Sequence, residues 1–413
     1  MAWEGHGMRK AIAVSAALVL AIVTAAGAWA DDWSQEAKLV PSGEGNMGWS
    51  VSQSGGTAIL GAPAESGYSG AAYVFGKESV GWEQVARLQA ADGTNHFGWS
   101  VDIDGSTAVV GARYSSSAYV FEDTGAGWVQ VAKMQPFDSP SSSHFGCAVA
   151  ISGSTVLVGA PGCNSWKGSV YVFENTGSAW TGVGKLSASD AAADDLFGWS
   201  VAIDGSTAII GAYGEDEKGS AAGAAYIFED MGSVWTQMAK LLAADGADND
   251  EFGYSVSIDG SRAIIGAPED NDNGDNAGAA YIFENAGSGW TQIAKLLAAD
   301  GEGWDYFSHS VSISGSMALV GAQGADDYGE NSGAAYVFRD TGSGWEQAAK
   351  LLASDGSNYD LFGNAVSLSG SVAIVGAPDA GAGYVFTPEP ATLSLLAAGL
   401  ALLRRKRSSE GKR

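Results

Sequence analysis

The sequence predicts an all-β protein, a seven-bladed β-propeller of four-stranded blades closed by an N-terminal strand that completes the last blade. Three observations predict it. One unit recurs seven times, and the Trp residues that open it lie 49, 46, 52, 55, 55 and 55 residues apart. Each unit reads as four short strands, the size of a propeller blade. The units are also cut out of phase at the two ends, as ring closure requires.

The landmarks justify each strand in turn. A Trp opens a segment that ends in a basic and an apolar residue: Trp82 to Leu88, Trp128 to Met134, Trp180 to Leu186, Trp235 to Leu241, Trp290 to Leu296 and Trp345 to Leu351. Trp33 to Leu39 is the seventh copy. Then come Met47-Gly48, Phe97-Gly98, Phe145-Gly146, Phe197-Gly198, Phe252-Gly253, Phe307-Ser308 and Phe362-Gly363. A Gly-Ala pair follows, from Gly61-Ala62 to Gly376-Ala377, and a Tyr-Val-Phe or Tyr-Ile-Phe closes the unit. In the fifth unit, Phe252 to Ile258 alternates and meets the hairpin signal Asp259-Gly260. Arg262 to Ala267, Gly278 to Phe283 and Trp290 to Leu296 supply the other strands. The Trp strand precedes the first Phe-Gly landmark and is missing after Phe386, so Trp33 to Leu39 is expected as the outer strand of the last blade. That closure removes two open sheet edges.

These landmarks resemble the FG-GAP repeats of integrin α-chain propellers and of many bacterial surface proteins, over Trp33 to Phe386. The resemblance implies the propeller fold. It does not carry over the integrin calcium sites, because the Asp-rich loop they need is replaced by tight turns such as Asp104-Gly105 and Ser152-Gly153.

The ends read as address labels. Residues 1–30 form a signal peptide, with Arg9-Lys10, an uncharged run and Ala28-Trp29-Ala30 for an export peptidase. Residues 31–386 are the propeller. Residues 387–413 hold Pro388-Glu389-Pro390, an apolar stretch to Leu403 and a basic tail with Arg404 and Arg405. The stretch of thirteen is short of the roughly 20 residues that span a bilayer. The order resembles the PEP-CTERM sorting signal, which implies exosortase-type processing and transient membrane association; a plain C-terminal anchor is the alternative. Either way the expected location is the cell surface, extracellular matrix or outer envelope.

Charge excludes one class of partner. The chain has 47 acids and 21 bases; the two end segments hold three and eight of these, leaving 44 and 13, a net charge of −31. Such a body repels nucleic acid and attracts cations. Export permits a disulfide between the two cysteines, Cys147 and Cys163, and the sequence leaves that bridge open.

Antiparallel order sorts the loops. Those between strands two and three, and those between blades, share one face. That face receives the long acidic loops of blades four to six, with Glu215, Asp216 and Glu217; Glu269, Asp270, Asp272 and Asp275; and Asp326, Asp327 and Glu330. Long loops on a rigid scaffold are where binding usually lives. Between blades, aspartates recur five apart: Asp190 and Asp195, Asp245 and Asp250, Asp300 and Asp305, Asp355 and Asp360. They either bond backbone N–H groups and shape turns, the preferred reading, or offer oxygens to calcium. The Glu269 to Gly274 segment only partly mimics a calcium loop, since Ala280 stands at its twelfth position.

Catalysis has little support. The three His of the body, His96, His144 and His309, form no metal-ligand cluster, and no Gly-x-Ser-x-Gly elbow occurs. The expectation is a non-catalytic adhesion module that needs no cofactor and binds a surface protein or glycan through the acidic face. The alternatives are a polysaccharide lyase or hydrolase on a propeller, and a purely structural matrix protein.

Overall fold

A computed structural model describes residues 33–42, 46–138, 143–232 and 234–389. The signal segment, Pro390, Arg404 and Arg405 lie outside the described residues; Pro388 ends the last strand and Glu389 follows it. Among the described residues no helix is long and apolar enough to cross a membrane.

Seven four-stranded sheets form; six are meanders of consecutive strands, and the seventh takes its outer strand from the N-terminal end. Blade four is representative: Ser200–Asp204, Thr207–Ala212, Ala224–Asp230 and Trp235–Leu241. In the seventh blade, Trp33–Leu39 pairs with Ala382–Pro388 as the outer strand, as the offset repeat predicts. The same side-chain contacts recur there. Ser354 N–H donates to Gln35 Oε1 at 3.0 Å, just as Ala244 N–H donates to Gln292 Oε1 at 3.0 Å elsewhere in the ring. Blade three has Gly182 in place of that Gln, and the Phe137 ring packs where a side chain would stand.

The alternating landmark residues bury between blades. Phe197 is fully buried and meets Tyr226 and Phe228 edge-on, at ring distances of 5.5 and 5.9 Å. Such pairs add about 0.5–1.5 kcal/mol beyond the area they bury. Each core cluster joins two neighbouring blades, as Leu157 and Val172 of blade three do with Ile210 and Tyr226 of blade four.

Two glycines set the distance between blades. A Cβ on Gly211 would land on the Gly253 carbonyl oxygen of the next blade. Gly253 itself sits at φ +95°, a region that L side chains rarely adopt. That turn also corrects one expected boundary. The inner strand of blade five starts at Ser255, because Phe252 makes only a single bridge to Gly223 before the chain swings at Gly253. In blade six Ser308 replaces this glycine at φ +76°, and its hydroxyl donates to Ala279 O at 2.6 Å and accepts from Ala267 N–H at 3.0 Å.

Candidate functional site

The basic residue that ends each outer strand has a fixed task. Lys240 Nζ lies 5.6 Å from the centre of the Tyr226 ring and pairs with Asp190 at 2.6 Å, Glu215 at 2.7 Å and Glu217 at 2.8 Å. Tyr226 OH donates to Asp190 at 3.0 Å. Lys295 repeats this with Asp245, Asp270 and Asp272, and Lys350 with Asp300 and Asp327. Lys38 pairs with Asp355 at 2.7 Å, so the N-terminal strand carries its own copy. Burial opposes ionisation of Asp190, but its bonds to Lys240 and Tyr226 outweigh that and hold the carboxyl below its usual range.

The recurrent aspartate pairs therefore divide. Asp190, Asp245, Asp300 and Asp355 bind lysine. Asp195, Asp250, Asp305 and Asp360 accept the backbone N–H of Ala192, Ala247, Glu302 and Ser357, at 2.6, 2.7, 2.9 and 2.7 Å. Carboxylate oxygens of Asp190, Glu215 and Glu217 come within 4.8 Å of one another, yet the Lys240 ammonium is already bonded to all three. A calcium ion bound by these three carboxylates would have to compete with the Lys240 ammonium for them. Millimolar calcium and magnesium are accordingly expected to raise the melting temperature equally at matched ionic strength, by screening the net negative charge. A rise specific to calcium would show that the ion displaces the lysines.

The acidic crescent is less available than its sequence suggests. Glu215 and Asp270 are 8% and 3% exposed, inside the lysine clamps. Asp216 and Asp326 close their own loops by accepting Ala221 N–H at 2.8 Å and Asn331 N–H at 2.7 Å. Glu217, Asp272 and Asp327 pair with lysine. Asp275 and Glu330 remain exposed side chains, and Glu269 is half-buried. The bridge left open for Cys147 and Cys163 is not formed. Both are free, buried thiols: Cys163 packs against Tyr171, whereas Cys147 lines a cavity at the axis.

That cavity is the feature the sequence reading missed. The residue after each Phe-Gly landmark stands at the entry to the innermost strand, so seven of them converge: Trp49, Trp99, Cys147, Trp199, Tyr254, His309 and Asn364. They line a cup of about 290 Å³ with Gln323 and Leu361. Trp49 and Trp99 stand 4.9 Å apart, ring to ring, and Tyr254 and His309 5.1 Å. Tyr213 bridges Trp199 and Tyr254 at 5.0 and 5.6 Å. Burial lowers the His309 pKa to about 4, so it is neutral at pH 7, and its Nδ1 meets the Gln323 amide at 3.2 Å. Burial and the neighbouring Glu269 raise Glu251 to about 7. The small Cys147 leaves room for Arg113, whose guanidinium carbon lies 4.9 Å from the Trp99 ring centre and 5.2 Å from that of Trp199.

A second aromatic run crosses blades one to three. Tyr68 stacks on His96 at 5.0 Å, His96 meets Tyr114 at 4.4 Å, and His144 meets Trp166 at 4.8 Å. His96 and His144 do act as turn residues, at φ +56° and +54°, and also supply rings to this stripe.

Known proteins place the fold. A chain in the crystal structure of the mitotic checkpoint complex is 13% identical with a TM-score of 0.56, over 86% of this chain and 94% of that one. Saccharomyces cerevisiae Sqt1 is 11% identical with a TM-score of 0.49, over 86% and 99%. No curated protein matches. The FG-GAP repeat model matches seven times, at residues 33–75, 82–121, 128–173, 180–228, 235–283, 290–338 and 345–386. Those matches take in most of the ring, and the chain belongs to the FG-GAP repeat family.

Proposed function

We propose that this protein is an exported, non-catalytic binding module that holds a surface protein or glycan on its loop face. The single observation that carries this reading is where the exposed aromatics stand. Tyr68, Tyr114, Phe137, Trp166, Trp304, Tyr328 and Tyr359 are exposed, and every one belongs to a loop of that face. The tight-turn face exposes aliphatics such as Val80, Met231 and Val234 instead. Tyr and Trp dominate binding hot spots because they bury large rigid surfaces. The acidic loops of blades four to six flank the stripe and set the charge a partner meets. The end segments fit export and exosortase-type processing, with the propeller delivered to the cell surface or matrix.

The test compares two triple variants for adsorption to cells and to isolated extracellular matrix. Tyr68, Tyr114 and Trp166 changed to Ser should weaken adsorption at least about tenfold. Val80, Met231 and Val234 changed to Ser should leave it within about twofold. Neutralising Asp216, Asp272 and Asp275 should have a smaller effect than the aromatic triple. Equal adsorption by the first two variants would contradict the reading.

A polysaccharide lyase or hydrolase is the second reading. It is favoured by Tyr254 and His309, whose rings stand 5.1 Å apart in the wall of one axial cup. Turnover in a depolymerisation screen, abolished in Tyr254→Phe, would favour it over a pure binder.

A further inference from the structure

We infer that the contact between Arg113 and His144 is a pH switch built into the loop face: a proton taken up by His144 breaks the aromatic stripe, so the stripe is assembled at neutral pH and comes apart in acid. The inference rests on the stripe being the binding surface, whose regulation it supplies.

The hydrogen bonds fix the protonation state. Arg113 Nε and Nη2 donate to His144 Nδ1 at 3.2 and 3.1 Å. A guanidinium has no acceptor, so Nδ1 offers its lone pair and the ring proton sits on Nε2. A proton added at Nδ1 removes both bonds at once and sets an imidazolium against the guanidinium. Arg113 has little freedom to retreat, because its guanidinium carbon is held 4.9 Å from the Trp99 ring centre and 5.2 Å from that of Trp199. The other groups that meet His144 carry no charge at neutral pH. They are the Tyr114 ring at 6.3 Å, the Trp166 ring at 4.8 Å and Cys147, whose N–H donates to His144 O at 3.0 Å. Lys167, next to Trp166, spends its Nζ on Ala191 O at 3.0 Å. Among the described residues no carboxylate forms an ion pair with Arg113 or His144.

Trp166 is the ring that depends on this contact. Its backbone is pinned by the bond from Leu196 N–H to Trp166 O at 2.8 Å, but its ring meets only the His144 ring among the described aromatics. When His144 turns away from Arg113, the stripe loses the link between Tyr114 and Trp166. His96, the other histidine of the stripe, faces no fixed cation. Its neighbours are the rings of Tyr68, Trp99 and Tyr114, whose π-systems accept a positive charge. Burial first, then the guanidinium, lower the His144 pKa below the ordinary histidine value of 6.5. The stabilisation by neutral His144 is therefore fully present above that value and is lost as pH falls through the lower value in the fold.

The test is an NMR pH titration of the full propeller with isotope-labelled histidine and tryptophan side chains. At neutral pH His144 should carry its proton on Nε2, titrate below 6.5, and move the Trp166 indole signal with the same midpoint. His144→Gln offers Arg113 an amide oxygen that does not titrate, and should leave the Trp166 signal fixed at an unchanged melting temperature. Arg113→Met, which keeps the bulk and removes the cation, should raise the His144 midpoint. In a parallel arm, adsorption of the parent to matrix should fall between pH 7 and about pH 5, approaching about tenfold per pH unit, the limit for one proton. His144→Gln should stay within about twofold over the same range. A proton on Nδ1 at neutral pH, a midpoint at or above 6.5, a Trp166 signal that still moves in His144→Gln, or an acid loss of adsorption equal in parent and variant would each overturn the switch. Adsorption that ignores pH while His144 and Trp166 titrate together would leave the switch standing and remove the stripe as the binding surface.

Discussion

Gly211→Ala is expected to destabilise the propeller by at least ~3 kcal/mol, in the range of severe overpacking. The added methyl has nowhere to go. Its place is taken by the Gly253 carbonyl oxygen of the neighbouring blade, with the Ser200 hydroxyl on the other side. The carbonyl is backbone, held at the turn that leads into the inner strand of blade five, so relief means separating blades four and five, which share the cluster of Ile209, Ile227, Phe252 and Tyr281. Gly184→Ala is the control. Its Cβ would meet only Val172 side-chain atoms, at 3.7 Å, and its backbone is not left-handed. That change should stay within about 0.5 kcal/mol, or stabilise slightly by restricting the unfolded chain. Denaturant unfolding of the three proteins, compared at unchanged slope, reads the difference. Equal midpoints for Gly211→Ala and Gly184→Ala would mean that the blades pack more loosely than described.

Deleting residues 33–39 should cost more than any point change. The deletion removes Leu39 from the core it shares with Leu60, Tyr73, Ile374 and Val385. It removes the Lys38–Asp355 ion pair and the Gln35 acceptor of Ser354 N–H. It also strips the partner from the Ala382–Pro388 strand and opens a bare edge. The expected result is a broad, non-cooperative melt at lower temperature, with concentration-dependent aggregation. Calorimetry and light scattering would record both. A deletion variant that melts like the parent would contradict ring closure by the N-terminal strand.

The fold was legible because its signals are local and repeated. A strand ending at Asp259 and resuming at Arg262 is written in four residues, and the Phe-Gly and Gly-Ala pairs mark places where only small residues allow two backbones to meet. The candidate site was less legible, for two physical reasons. The partners of Lys240 lie 23 to 50 residues away in two separate loops, so Glu215 and Asp270 read as free surface acids although they are buried counterions. The axial ring was hidden for the opposite reason. Repeats announce themselves through residues that stay the same, and Trp49, Cys147, Tyr254, His309 and Asn364 share a position without sharing a side chain. The clue was the residue following each Phe-Gly landmark, whose place at the head of the innermost strand puts it at the axis whatever its identity. Arg113 gave no signal at all, because its neighbours Trp99, His144 and Trp199 come from three different blades.

The central claim is that the loop face, and not the tight-turn face, meets the ligand. Hydroxyl-radical footprinting of the propeller, free and adsorbed to its matrix, tests it most directly. Tyr68, Tyr114 and Trp166 should be oxidised more slowly in the adsorbed protein, while Met231 and Met238, on the far turn and the outer strand, keep their free rates. Protection of Met231 with unchanged oxidation of the three aromatics would contradict the account.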